Sequence, residues 1–133
     1  MAEEDLNYKN FANSLKDQAN ELFQNGDTEG AIKLFSQAID VDPDNHVFYS
    51  NRSAAYMKVD SVSKALRDAE KCVELAPQWA KGYNRLGVAQ QCLRRFDAAL
   101  TTLKKGECLI TFVYAWSINY RFLAVLYRNR VGS

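Results

Sequence analysis

Five side chains in this chain are of the types that grip anions, and their spacing lets them act together: Lys16, Asn20, Asn51, Lys81 and Arg85. Lys16 and Asn20 stand four residues apart, as do Lys81 and Arg85, so each pair occupies one face of a helix. Asn51 and Arg85 are separated by 34 positions, the interval that governs the rest of the sequence. Ammonium, guanidinium and amide donors gathered on one surface hold oxyanions through charge-assisted hydrogen bonds. Asparagine is also a mediocre helix-interior residue, so two of them at such positions call for a use beyond helix formation.

The elements that must position these groups follow from the same interval. Small residues recur at Ala31, Ala65 and Ala99 and at Ala19, Ser53 and Gly87; large ones recur at Leu15, Tyr49 and Tyr83, and proline at Pro43 and Pro77. A 34-residue period with small residues where helices touch and proline closing the unit predicts a stack of helix-turn-helix repeats, all-α, wound as a right-handed solenoid. The first unit spans about 12–45, the second 46–79 and the third 80–106, after an N-terminal extension of 1–11. Within the first unit, Leu15, Ala19, Leu22 and Phe23 mark one helix, and Ile32, Phe35, Ala38 and Ile39 a second from about Thr28 to Val41. Gly26-Asp27 forms the turn between them, with Asp27 as a cap and Asp44 or Asn45 capping the next helix. The second unit replaces that turn by Val59-Asp60, with Ser61 as its cap. In stacked hairpins the first helix of each pair lines the concave surface. All five donors fall on first helices, so they converge there.

Composition narrows the function. Lysine plus arginine number 17 against 16 acids, for a net charge of +1. That balance offers no global field for nucleic acid or an anionic membrane, so any electrostatic function is local. Cys72, Cys92 and Cys108 form no CxxC pair and are odd in number, which points to a reducing compartment, with the cytoplasm as the default. Residues 1–9 are polar and acidic, without the apolar run of a secretory signal. Enzymatic and cofactor chemistry find no footing. His46 is the single histidine, reads as a surface residue near a helix start, and has no catalytic pair; no phosphate-cradling glycine loop or metal-ligand spacing is present. Tyr49, Tyr56, Tyr83 and Phe35 read as core, Cys72 as a packing residue, and Trp79 as packed at the hairpin junction after Pro77.

After Gly106 the register fails, because Glu107 and Thr111 fall where earlier units have apolar residues and proline. Residues 108–127 carry one charge, Arg121, and are rich in aromatic and β-branched types. Three roles compete for this divergent segment, 107–133: a hydrophobic cap on the third unit, a surface for self-association, or a membrane anchor with Arg128 and Arg130 at its far end. Arg121 inside the stretch weighs against the last.

The segments Lys16-Asp-Gln-Ala-Asn20, Tyr49-Ser-Asn51-Arg-Ser-Ala-Ala-Tyr56 and Lys81-Gly-Tyr-Asn-Arg85 resemble the carboxylate clamp of tetratricopeptide-repeat co-chaperones. The likeness is greatest to the organising-protein family of heat-shock proteins 70 and 90, then to the small glutamine-rich tetratricopeptide proteins, and it covers about Ser14 to Gly106. The resemblance implies a non-catalytic adaptor that binds the Glu-Glu-Val-Asp C-terminus of heat-shock protein 70 or 90. It further implies that Lys16, Asn20 and Asn51 hold the terminal α-carboxylate and that Lys81 and Arg85 hold the last aspartate side chain. A chain end finishing in aspartate presents two neighbouring carboxylates, which internal peptide cannot, so such a clamp selects the end itself. Phe23, Ala54 and Met57 are candidates for an apolar wall beside it, with Lys58 as a further cation. The rival expectation is a structural repeat module that binds an internal protein segment, with these donors merely solvated.

Overall fold

The computed structural model describes residues 2–111 and residue 128. Among them are six helices: α1 (Ala2–Gln24), α2 (Thr28–Val41), α3 (His46–Lys58), α4 (Val62–Leu75), α5 (Ala80–Cys92) and α6 (96–111). Successive helices pack on one another as hairpins, and α3 also touches both α1 and α5. The first helices of the three units therefore stand side by side in the order α1, α3, α5.

The small residues sit where the period requires them. Ala19, Ala31, Ala65 and Ala99 are buried, and the Ser53 hydroxyl donates to the Ala65 carbonyl at 2.8 Å across the α3–α4 hairpin. At the third unit the equivalent residue is Gly87, where a Cβ atom would lie 2.5 Å from the Leu103 side chain of α6. Any side chain there would force Leu103 to shift. Two cores form along the stack: Ala12, Leu15, Ala38, Ile39, Phe48, Tyr49 and Cys72 at one end of the hairpins, and Ala19, Ala31, Phe35 and Ala55 at the other. Trp79 packs against the first, as its place after Pro77 suggested.

The period extends to backbone geometry and hydrogen bonds. Gly26, Asp60 and Arg94, one per hairpin turn and 34 apart, all have positive φ, at 92°, 61° and 60°. Glycine enters this region freely, whereas Asp60 and Arg94 hold it at a cost of roughly 1–2 kcal/mol each because Cβ approaches the carbonyl oxygen. Tyr49 Oη donates to the Pro43 carbonyl at 2.9 Å, and Tyr83 Oη repeats the bond to Pro77 at 2.8 Å. Asp27 caps α2 through the Gly30 N–H, and Asn45 caps α3 through the Val47 N–H. Ser61 stands at the cap position of α4 but its hydroxyl makes no capping bond, a departure from the sequence expectation.

Three other features differ from that expectation. The α1 helix begins at Ala2 rather than near Ala12, since nothing in 2–11 breaks a helix and Glu3, Glu4 and Asp5 lie at its positive N-terminal end. The α6 helix passes through Gly106, which is small because a Cβ there would meet Tyr83 at 3.2 Å. His46 is half-buried, with its ring edge-on to Trp79 at 4.7 Å, so it belongs to the junction and not to open surface. The apolar stretch 112–127 and the roles weighed for it lie outside the described residues. Among those described, no helix is long and apolar enough to cross a membrane.

An ion pair ties three helices together. Arg52 of α3 donates through Nε and Nη2 to both carboxylate oxygens of Asp68 on α4, at 2.7 and 2.8 Å, and through Nη1 to Ser36 of α2 at 3.1 Å. Asp68 is buried. The hydrogen bonds that Arg52 donates to Asp68 hold its proton more firmly than usual, against the opposing effect of burial. Its guanidinium also lies between the Tyr49 and Tyr56 rings, at 5.8 and 5.7 Å.

Candidate functional site

Helix α1 contributes Lys16 and Asn20, α3 contributes Asn51, and α5 contributes Lys81 and Arg85; Phe23, Ala54, Met57 and Lys58 follow on the first two helices. The two asparagines meet across the α1–α3 seam, where Asn51 Nδ2 donates to Asn20 Oδ1 at 3.4 Å. That bond occupies the Asn20 oxygen and leaves the Asn20 amide hydrogens and one Asn51 N–H as donors for another acceptor. Lys16, on the turn before Asn20, has a side chain only 24% exposed, and its Nζ lies 3.2 Å from Asp17 Oδ1.

On α5 the two cations stand differently. Lys81 is exposed, and its Nζ lies 5.9 Å from the Trp79 ring centre. Arg85 is partly buried, and its Nε is one of two buried side-chain polar atoms, with Ser50 Oγ, that have no hydrogen-bond partner among the described residues. A donor withheld from water without an acceptor costs about 1–3 kcal/mol. Neither α5 cation has an acidic partner among the described residues.

Arg85 lines a cavity of about 360 Å³ together with Phe23, Ala54, Met57 and Lys58, so the structure brings the four wall candidates onto one surface with one of the five candidate donors. Lys58 lies over the Phe23 ring at 5.1 Å. Two further residues complete the lining, Asn84 and Val88. Sequence reasoning missed both, although Asn84 is three after Lys81, Val88 is three after Arg85, and Val88 lies 34 beyond Ala54. A second cavity, of about 420 Å³, lies between α5 and α6 and is lined by Lys81 and Asn84 on one side and Leu103, Glu107 and Ile110 on the other. Asn84 thus borders both. No hydrogen bond joins the α5 cations to the asparagines among the described residues; α3, which carries Asn51, touches both α1, which carries Lys16 and Asn20, and α5.

Beneath α5, Cys72 is buried, and burial pushes its thiol up to about 11, with Arg85 and Lys81 pulling weakly the other way. Cys92 and Cys108 are exposed. The arrangement is a surface of directed donors, some positively charged, beside an apolar hollow, and such a surface can pair with an acidic, partly apolar segment.

Comparison with known proteins agrees with this architecture. A family model described as TPR repeat matches residues 19–60. Heat shock protein STI1 of Saccharomyces cerevisiae is 47% identical over 96 residues, covering 71% of this chain and 16% of the yeast protein. The first TPR domain of Spaghetti (RPAP3), solved with the HSP90 peptide SRMEEVD, superposes with a TM-score of 0.72 at 30% identity over 74% of this chain and 78% of that one. The TPR2B domain of yeast Sti1, in complex with an Hsp70 peptide, gives a TM-score of 0.75 at 28% identity over 87% of this chain and 93% of that one. The chain spans about a sixth of the length of the curated organising-protein relatives it matches.

Proposed function

The chain belongs to the tetratricopeptide-repeat family, and from that premise we propose that it is a non-catalytic co-chaperone adaptor whose groove holds the acidic C-terminal tail of heat-shock protein 70 or 90. The observation that carries the reading is Arg85, a partly buried guanidinium without an anionic partner among the described residues, at the wall of a hollow shared with Phe23, Ala54 and Met57. Lys16, Asn20 and Asn51 take the terminal α-carboxylate. Lys81 and Arg85 take the side chain of the last aspartate, and the hollow takes the valine before it and residues upstream. Free cysteines suit a reducing cytoplasm as the place of action.

Each charged hydrogen bond contributes about 1.5–3 kcal/mol, and ordering a flexible tail offsets much of the sum, so a Kd near micromolar is expected. Calorimetric titration with SRMEEVD as free acid and as C-terminal amide tests the reading. The free acid should bind and the amide should bind at least tenfold more weakly. Equal binding of the two would favour the alternative of a repeat scaffold that grips an internal segment. Titration of the corresponding heat-shock protein 70 tail beside the 90 tail then ranks the two partners.

A further inference from the structure

We propose that Asp17 is a built-in competitor for the ligand's terminal carboxylate, an intramolecular stand-in that Lys16 must release before the clamp closes; the inference rests on the clamp reading above. Three observations carry it. First, Lys16 is the one clamp cation with a carboxylate partner among the described residues, Asp17 at 3.2 Å. Second, Asp17 precedes Asn51 by 34 positions, and Asn51 precedes Arg85 by 34, so the three hold the same place in successive units. The position that offers a donor to the groove in the second and third units offers an acceptor in the first. Third, Lys16 is mostly buried whereas the Asp17 side chain is 72% exposed, so the cation is held in place and the acid is free to swing away.

Adjacent residues on a helix point about 100° apart, so this contact requires the two side chains to bend toward each other. With its acid largely in solvent the pair is weak, which suits displacement. A ligand carboxylate that bonds Lys16 together with the Asn20 and Asn51 amides exchanges one ion pair for several charge-assisted bonds. A carboxylate that reaches Lys16 alone exchanges like for like and gains nothing. Asp17 therefore lowers, by one common factor, the affinity for every anion that must take Lys16, and leaves untouched any that binds without it.

Titration of SRMEEVD into the full chain, followed by NMR so that millimolar constants remain measurable, tests this with wild type, Asp17→Asn, Lys16→Met and the double variant. Asp17→Asn should bind roughly two- to fivefold tighter, the range open to an ion pair with one partner in solvent, and this gain should vanish in the Lys16→Met background. No gain, or the same gain without Lys16, would show a mere surface charge and overturn the proposal. A wild-type chain that binds acid and amide alike overturns the clamp reading and this inference with it. Selectivity for the free acid with no effect of Asp17→Asn overturns the inference alone.

Discussion

Two arginines on neighbouring first helices, Arg52 and Arg85, meet opposite fates. At the α2–α3–α4 joint, Arg52 spends its donors on Asp68 and Ser36 and lies between two tyrosine rings. In the groove, Arg85 is partly buried with an Nε that has no partner among the described residues. A guanidinium whose acceptors are built into the fold fixes the angle between helices; one whose acceptor is missing is prepared for an acceptor that arrives from outside. Burial is similar in kind. What separates structure from site is whether the chain supplies the anion.

The contrast can be broken by experiment. Arg52→Ala leaves the buried Asp68 carboxylate uncompensated and should cost about 3–5 kcal/mol of unfolding free energy in urea denaturation. Stability unchanged within error would mean that the joint is not held by this pair. Arg85→Ala should do the reverse: about 1.5–3 kcal/mol lost from binding of SRMEEVD, roughly ten- to a hundredfold in Kd, with the denaturation midpoint held or raised because an orphaned donor is removed. A fall in stability without loss of binding would place Arg85 with Arg52.

Asn51 sharpens the comparison because it belongs partly to each class, bonded to Asn20 yet keeping a donor free. Asn51→Ala should weaken peptide binding by about 1 kcal/mol, close to fivefold by calorimetry, with a smaller loss of stability. The smallest expected effect concerns the cysteines. At neutral pH iodoacetamide should modify Cys92 and Cys108 in the folded chain and spare Cys72, whose thiol burial holds near 11. Because that value lies above the ordinary 9.0, the folded state keeps a proton the unfolded chain loses, so this group's contribution to stability declines as pH rises from about 9 toward 11. Rapid modification of Cys72 by mass spectrometry would indicate that α4 and α5 part readily.

Much of the array could be read before any coordinates. A hairpin that repeats every 34 residues must place the same kind of side chain at each helix contact, so Ala31, Ala65 and Ala99 mark the joints and Leu15, Tyr49 and Tyr83 the faces buried with them. The candidate groove set rests on the same reasoning, because position in the unit assigns Asn51 and Arg85 to first helices, where the structure places them. Where a contact depends on which side chain reaches which, the pattern was silent. Ser61 occupies a cap position without capping, His46 turns inward to Trp79, and Asn84 and Val88 join the hollow although neither stands out as a type.

Residue order alone determined the period, the succession of helices and which helices carry the candidate donors, since each follows from local spacing along a regular helix. The partnering of those donors came from the folded arrangement: Asn51 bonded across to Asn20, Arg52 spent on Asp68 from another helix, and Arg85 kept without an acceptor among the described residues. Such pairings join residues 16 or 31 positions apart through the angle at which helices cross. That angle is set by the packing of whole faces, and no single interval in the sequence encodes it.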